Sequence, residues 1–150
     1  MLLVGNGRLI TRDPERPYVE DGAVVLDGPL VREVGVYPEL KAKYPQAQFV
    51  DAQGGVIMPG LINVHTHIYS GLARGLSIDG FHPTNFFEVL DGQWWYIDRH
   101  LTLDGTRACA YATALECIRN GVTTLFDHHA SFCEITGSLF AIQDVCREVG

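Results

Sequence analysis

The sequence is short of the features that would tie it to a charged polymer, an oxidising compartment or a bilayer. Basic residues are few: 11 Lys and Arg stand against 18 Asp and Glu, for a net charge of −7. That balance disfavours a nucleic-acid backbone or an anionic membrane surface as partner, and says nothing against a small neutral ligand. Cysteine is present only as Cys109, Cys117, Cys133 and Cys146, with no C-x-x-C pair. The expectation is reduced, mostly buried thiols rather than a disulfide framework or a cysteine metal site. Met1-Leu2-Leu3-Val4-Gly5-Asn6 shows no basic segment leading into a long apolar core, so no secretory signal is read and a cytoplasmic location is expected. The one long uncharged stretch lies between Ala52 and Arg74. It holds Pro59, Asn63, two histidines and several glycines, which argues against a membrane span. What is there suits a core: 47% of residues are hydrophobic and 19% charged over 150 positions, enough for an ordinary globular domain.

The first 56 residues pattern as β-structure. Residues 2–11 read as a strand interrupted by the Asn6-Gly7 turn signal, and Asp13 to Asp21 as a loop. Ala23 to Leu26 and Leu30 to Val36 read as a hairpin turning at Asp27-Gly28. Tyr37 to Pro45 is a polar excursion with room for one helical turn, and Gln48 to Ala52 is a further short strand. Together they make a small antiparallel module without a catalytic cluster, marginal by itself and with unpaired edges.

From residue 57 onward the pattern changes. Val56 to Val64 is mostly apolar, broken by Pro59-Gly60, and ends in His65-Thr66-His67. On a strand, residues i and i+2 share a face. His65 and His67 therefore project together, with Thr66 opposite, and two converging imidazoles make a half-site for a divalent metal. Two histidines sharing a face by accident would show the same spacing. Tyr69 to Phe86 reads as a long loop over the strand's end. Phe86 to Leu101 reads as an aromatic helix broken near Gly92, most of its rings expected in the core and one or two available as a platform for a planar ligand. A helix begins at Thr102 as N-cap, with Asp104 in its first turn, an apolar face of Ala108, Ala112, Leu115 and Ile118, and Gly121 just past its end. Val122 to Phe126 is a buried strand ending at Asp127-His128-His129, which serve either as a hydrogen-bonded loop start or as substrate contacts. A last helix runs from Ser138 with Leu139, Ile142, Val145 and Val149 on one face. Strand, loop, helices, strand, helix is the opening of a parallel α/β arrangement, whose polar strand ends face the ligand.

Pro59-Gly60-Leu61-Ile62-Asn63-Val64-His65-Thr66-His67 resembles the P-G-[LF]-[IV]-[ND]-x-H-x-H signature of the amidohydrolase superfamily. Gly71-Leu72-Ala73-Arg74-Gly75 and Asn120-Gly121-Val122-Thr123-Thr124 resemble segments of its cytosine-deaminase and chlorohydrolase branch, and the chain looks most like the SsnA-type aminohydrolases. The resemblance implies a metal-dependent-hydrolase (β/α)8 TIM barrel, with residues 57–150 as its first two β/α units. It also implies a small β-sandwich domain to which residues 1–56 contribute. His65 and His67 would be the first two ligands of one divalent metal, zinc or iron. Two histidines and an aspartate from later strands would complete the site, and a glutamate beyond Gly150 would protonate substrate, so no catalytic residue is expected within the chain. A full barrel takes roughly 250 residues. The expectation is an N-terminal piece of a longer enzyme, inactive by itself.

The activity so implied is hydrolysis of a carbon–nitrogen bond other than a peptide, foremost the deamination of a small heterocyclic amine. Alternatives are a cyclic amidase, a chlorohydrolase, or a non-catalytic binding protein keeping the half-site. A cupin needs a Glu soon after H-x-H, and the other zinc nucleobase deaminases need H-x-E with P-C-x-x-C. Neither pattern is present. Candidate substrate contacts are Arg74, His82, Glu88, Gln93, Trp94, His128 and His129, with Arg74 either anchoring its loop or meeting an anionic substituent. No nucleic-acid or membrane partner is expected, and a homo-oligomer is compatible with the family.

Overall fold

The computed structural model describes all 150 residues, which form two units, Met1–Pro59 and Gly60–Gly150. In the first, β1 (Leu2–Ile10), β2 (Tyr18–Asp27), β3 (Leu30–Val36), β4 (Gln48–Asp51) and β5 (Val56–Ile57) form one sheet, with α1 (Tyr37–Lys43) between β3 and β4. The order is β3-β2-β1-β4, and β5 also pairs with β1. The hairpin turns at Gly28-Pro29, one residue later than expected.

The sheet is mixed rather than antiparallel, because β4 and β5 both run parallel to β1. Asn6-Gly7 explains how. Instead of ending a strand, Asn6 takes a left-handed φ of 59° inside β1, and the pairing with β2 shifts register there. Its side chain donates to Asp51 Oδ1 at 2.7 Å and its carbonyl accepts from Gly54 N at 2.7 Å. The kink divides the free edge of β1, so that β4 pairs with Leu2–Gly5 and β5 with Arg8–Leu9. A bulge of this kind bends the strand and re-aims its edge. Because Ile57 pairs with Leu9 and is buried against it and Val19, the first unit extends to Pro59 rather than stopping at residue 56.

Leu3, Ala23, Val25 and Leu40 form this unit's other buried cluster. Leu3 is 2% exposed, so Leu3→Ala leaves a cavity and is expected to cost about 2–5 kcal/mol. Chemical denaturation monitored on this unit checks it, and an unchanged midpoint would refute the packing described.

The second unit is α/β. Strands β6 (Leu61–Thr66) and β7 (Val122–Asp127) pair in parallel, from Leu61 opposite Val122 to Thr66 opposite Asp127. A 3-10 turn (Ile68–Ser70) follows β6. After a loop come α2 (Phe86–Val89), a π-helical turn (Leu90–Trp94), α3 (Trp95–His100) and α4 (Leu103–Arg119); α5 (Ser138–Val149) follows β7. The expected break near Gly92 is thus a π turn, which widens the helix without ending it. Thr102 caps α4 by accepting from Gly105 N at 3.1 Å, as expected.

The buried face of α4 differs from the one read from periodicity, while that of α5 agrees at Ile142 and Val145 and differs at Leu139. α4 buries Thr106, Cys109, Ala110 and Ala114, while Leu115 is 52% exposed. The reason is close approach: α4 packs on the 3-10 turn and on α5, and its small residues allow that contact where leucine would not. α5 buries Ser138, Ala141, Ile142 and Val145 and leaves Leu139 exposed. Phe86, Phe87 and Tyr96 are exposed rather than in the core. Of the four free thiols only Cys109 is buried, Cys117 is half-buried, and Cys133 and Cys146 are exposed. No helix is long and apolar enough to cross a membrane.

The motif glycines are where backbones meet. A Cβ on Gly60 would lie 2.2 Å from Thr123 Oγ1, and Leu61 N donates to Gly121 O at 2.9 Å. The first and last of the sequence motifs thus hold each other at the start of the parallel pair, which sets the register that carries both strand ends to one place.

Candidate metal centre

β6 ends as the alternation of a strand requires. Thr66 is buried, while His65 and His67 turn to the other side. Their Nε2 atoms lie 3.3 Å apart. Two imidazoles bound tetrahedrally to one zinc at 2.0–2.1 Å would have nitrogens about 3.3–3.4 Å apart. The pair therefore fits two ligands of a single ion. As a hydrogen bond, the same contact needs a proton on one of the two Nε2 atoms; as a ligand pair it needs both Nε2 atoms unprotonated.

The tautomer of His67 follows from its neighbour. Nδ1 lies 3.2 Å from the His128 carbonyl oxygen. A carbonyl only accepts, so Nδ1 carries the proton and Nε2 presents its lone pair, the arrangement a metal-binding histidine requires. The carbonyl is in place because His128 N donates to Thr66 O at 2.9 Å, continuing the β6–β7 ladder past Asp127. Asn63 Oδ1 accepts from His65 N at 3.2 Å, and Asp127 Oδ1 accepts from Ile68 N at 2.8 Å. The first steadies the strand end and the second opens the 3-10 turn.

Aromatic rings wall the His67 side chain. Its ring centroid is 5.2 Å from His128, 6.1 Å from Tyr69 and 6.3 Å from Trp94. Tyr69 also meets Trp94 at 6.3 Å and His129 at 5.8 Å. Burial foremost, then the neighbouring Asp98 carboxylate, push the Tyr69 hydroxyl well above the usual phenol range. Burial raises the Asp98 carboxyl and lowers the His129 imidazole, so both are driven toward their neutral forms.

Of the candidate contacts, Trp94, His128 and His129 are gathered here, and Gln93 is half-buried beside Trp94 on the π turn. The others lie elsewhere. Arg74 lines a cleft with Asn63, Thr113, Glu116 and Asn120. His82 is exposed. Glu88 accepts from Thr84 N at 2.6 Å, while its own N–H donates to Asn85 Oδ1 at 3.1 Å. That is reciprocal capping of α2, and it occupies the carboxylate locally. Sequence reading missed Tyr69 and Asp98. Their signal was available only as a polar pair 29 positions apart, which no short-range pattern connects. No group of three or more His, Cys, Asp or Glu side chains is placed to hold a metal ion.

Residues 56–149 match the amidohydrolase family. The chain belongs to that family. It is 32% identical over 126 residues to a 5'-deoxyadenosine deaminase from Methanosarcina mazei, covering 84% of this chain and 27% of that protein. It is 30% identical over 126 residues to a 5-methylthioadenosine/S-adenosylhomocysteine deaminase from Nitratidesulfovibrio vulgaris, covering 84% and 28%. An atrazine chlorohydrolase variant from Arthrobacter aurescens TC1, complexed with zinc and atraton, superposes with a TM-score of 0.83 at 28% identity, covering 100% of this chain and 34% of that one. The chain thus spans about a quarter of the curated relatives' length.

Proposed function

We propose that this chain supplies the first two metal ligands of a hydrolase acting on carbon–nitrogen bonds other than peptides, and that the reaction is deamination of a small heterocyclic amine. The 3.3 Å convergence of the His65 and His67 Nε2 atoms, in a chain of the amidohydrolase family, carries the reading. One divalent ion, zinc or iron, is the cofactor; when bound it lowers the pKa of a water toward neutrality and so supplies hydroxide. In the net reaction water replaces the ring amine: a carbon–oxygen bond forms, the carbon–nitrogen bond breaks and ammonia leaves.

The chain's own residues do the rest of what can be placed. His67 is held as the Nδ1–H tautomer by the His128 carbonyl, so its Nε2 is free to ligate. Trp94 and Tyr69 shield it from water on one side. Trp94, His128 and His129 are the substrate contacts this arrangement favours, with Gln93 next to them. In this reading the second unit is the start of a (β/α)8 barrel and the first unit part of a composite β domain. Support comes from β6 and β7 themselves: Ile62 is 62%, Val64 71% and Phe126 61% exposed, although parallel strands are ordinarily covered on both faces.

The test is ammonia release by the full-length protein, loaded with zinc or iron, from a panel of purines, pyrimidines and triazines. Metal-dependent ammonia release is expected. A metal-loaded protein that releases none from any class would overturn deamination. The likeness to a chlorohydrolase favours one second reading, hydrolysis of another ring substituent, which chloride release from halogenated triazines would reveal.

A further inference from the structure

Near Tyr69 and His129 lies a buried polar group that the proposed chemistry does not use. Asp98, on α3, is only 4% exposed. Its Oδ1 is buried without a hydrogen-bond partner, and so are both ring nitrogens of His129. An uncompensated buried carboxylate is costly, and apolar packing in its place is often neutral or stabilising. Stability alone therefore does not account for an aspartate here.

Its position suggests what does. Asp98 joins three segments. Its carboxylate lies near the Tyr69 hydroxyl, in the turn directly after His67, and its charge adds to burial in raising that phenol. It stands four residues after Trp94, which places it one helical turn on along the same face. Its backbone carbonyl accepts from Phe132 N at 2.8 Å, tying down the loop that follows His128 and His129. Tyr69, Trp94 and His128 are the three rings that, with His65, surround His67.

We infer that Asp98 is a positioning residue for the metal centre, holding Tyr69 and, through it, the aromatic wall that orients the His67 imidazole. The inference rests on the metal-centre reading above. It concerns the aim of a ligand, so it is read out in metal binding, without reference to turnover. Groups in the layer behind metal ligands typically contribute 10–100-fold to affinity.

The experiment uses the full-length protein, with Asp98→Asn and Tyr69→Phe as variants and cobalt(II) as the probe. Cobalt affinity, the visible d–d spectrum of the bound ion and the melting temperature of the metal-free protein are measured for each. Both variants are expected to bind cobalt about tenfold or more weakly, with a shifted d–d band, while the metal-free melting temperature stays close to the parent's or rises for Asp98→Asn. Tyr69→Phe keeps the ring and removes only the hydroxyl, so it serves even where Asp98→Asn does not fold. Unchanged cobalt affinity and spectrum in a folded variant overturn the inference and leave the metal centre standing. An affinity loss that merely tracks a fall in the metal-free melting temperature overturns it too, by showing a purely structural role. A parent protein that binds no divalent ion overturns the metal-centre reading itself, and the inference with it.

Discussion

His67→Ala in the full-length protein is expected to empty the metal centre and lower hydrolysis by roughly a thousandfold or more, since a metal supplies several kcal/mol of transition-state stabilisation. Two effects combine at this residue. The Nε2 that converges with His65 is lost, and so is the Nδ1–H that meets the His128 carbonyl. His65→Ala removes one ligand without disturbing that cross-strand contact. It should lose metal comparably while leaving the end of the β6–β7 ladder intact. Metal content by elemental analysis, together with turnover at saturating zinc, checks both. Either variant keeping stoichiometric metal and parental turnover would show that the pair is not the ligand set. Both side chains lie at a half-exposed strand end rather than in a core cluster, so folding should be little affected.

The second large effect is expected at Gly71, four residues after His67. A Cβ there would lie 2.4 Å from Thr113 Oγ1 and 2.8 Å from the Cys109 carbonyl oxygen. The threonine hydroxyl can rotate away. The carbonyl belongs to the backbone of α4 and cannot. Gly71→Ala should therefore destabilise by about 1–3 kcal/mol, as overpacking commonly does, and Gly71→Val by more. The strain would reach the site, because Gly71 closes the 3-10 turn by donating to Ile68 O at 3.0 Å, and the same turn carries Tyr69. Thermal melts of the two variants, and of Gly71→Ala combined with Thr113→Ala, separate the contributions: the double variant should recover the hydroxyl part and retain the carbonyl part. A Gly71→Ala melt indistinguishable from the parent's would disprove the close contact.

These two positions show how unevenly the site was written in the chain. His-x-His is a local pattern. A strand's two-residue repeat places both rings on one side whatever surrounds them, so the shared face of the pair can be argued from spacing. The N-cap at Thr102 and the αL glycine at Gly121, φ 72°, are equally local, and both are where the pattern puts them. Glu88 illustrates the limit. As an acidic residue near a loop it was a fair substrate candidate, yet its carboxylate is engaged by the backbone four residues earlier.

Helix faces were less legible. Periodicity finds a stripe of large apolar residues and takes it for the buried face, as with Ala108, Ala112, Leu115 and Ile118. In α4 the neighbouring turn and α5 come too close for large side chains, so the small face of Thr106, Cys109, Ala110 and Ala114 is buried instead. Hydropathy measures how much a residue gains from burial. It does not measure the distance at which the next backbone will lie.

By itself, then, the sequence determined the elements of short range: the two strand ends with their polar residues, the caps, the hairpin, the paired histidines and the family signature. Each depends on residues within a few positions of one another and on the fixed repeat of a strand or helix. Only the tertiary structure decided which strands run parallel to β1, which helix faces are buried, and that Tyr69, Trp94 and His128 gather around His67. Those outcomes depend on packing distances between segments far apart in the chain, and steric fit at such distances has no counterpart in any local pattern of residues.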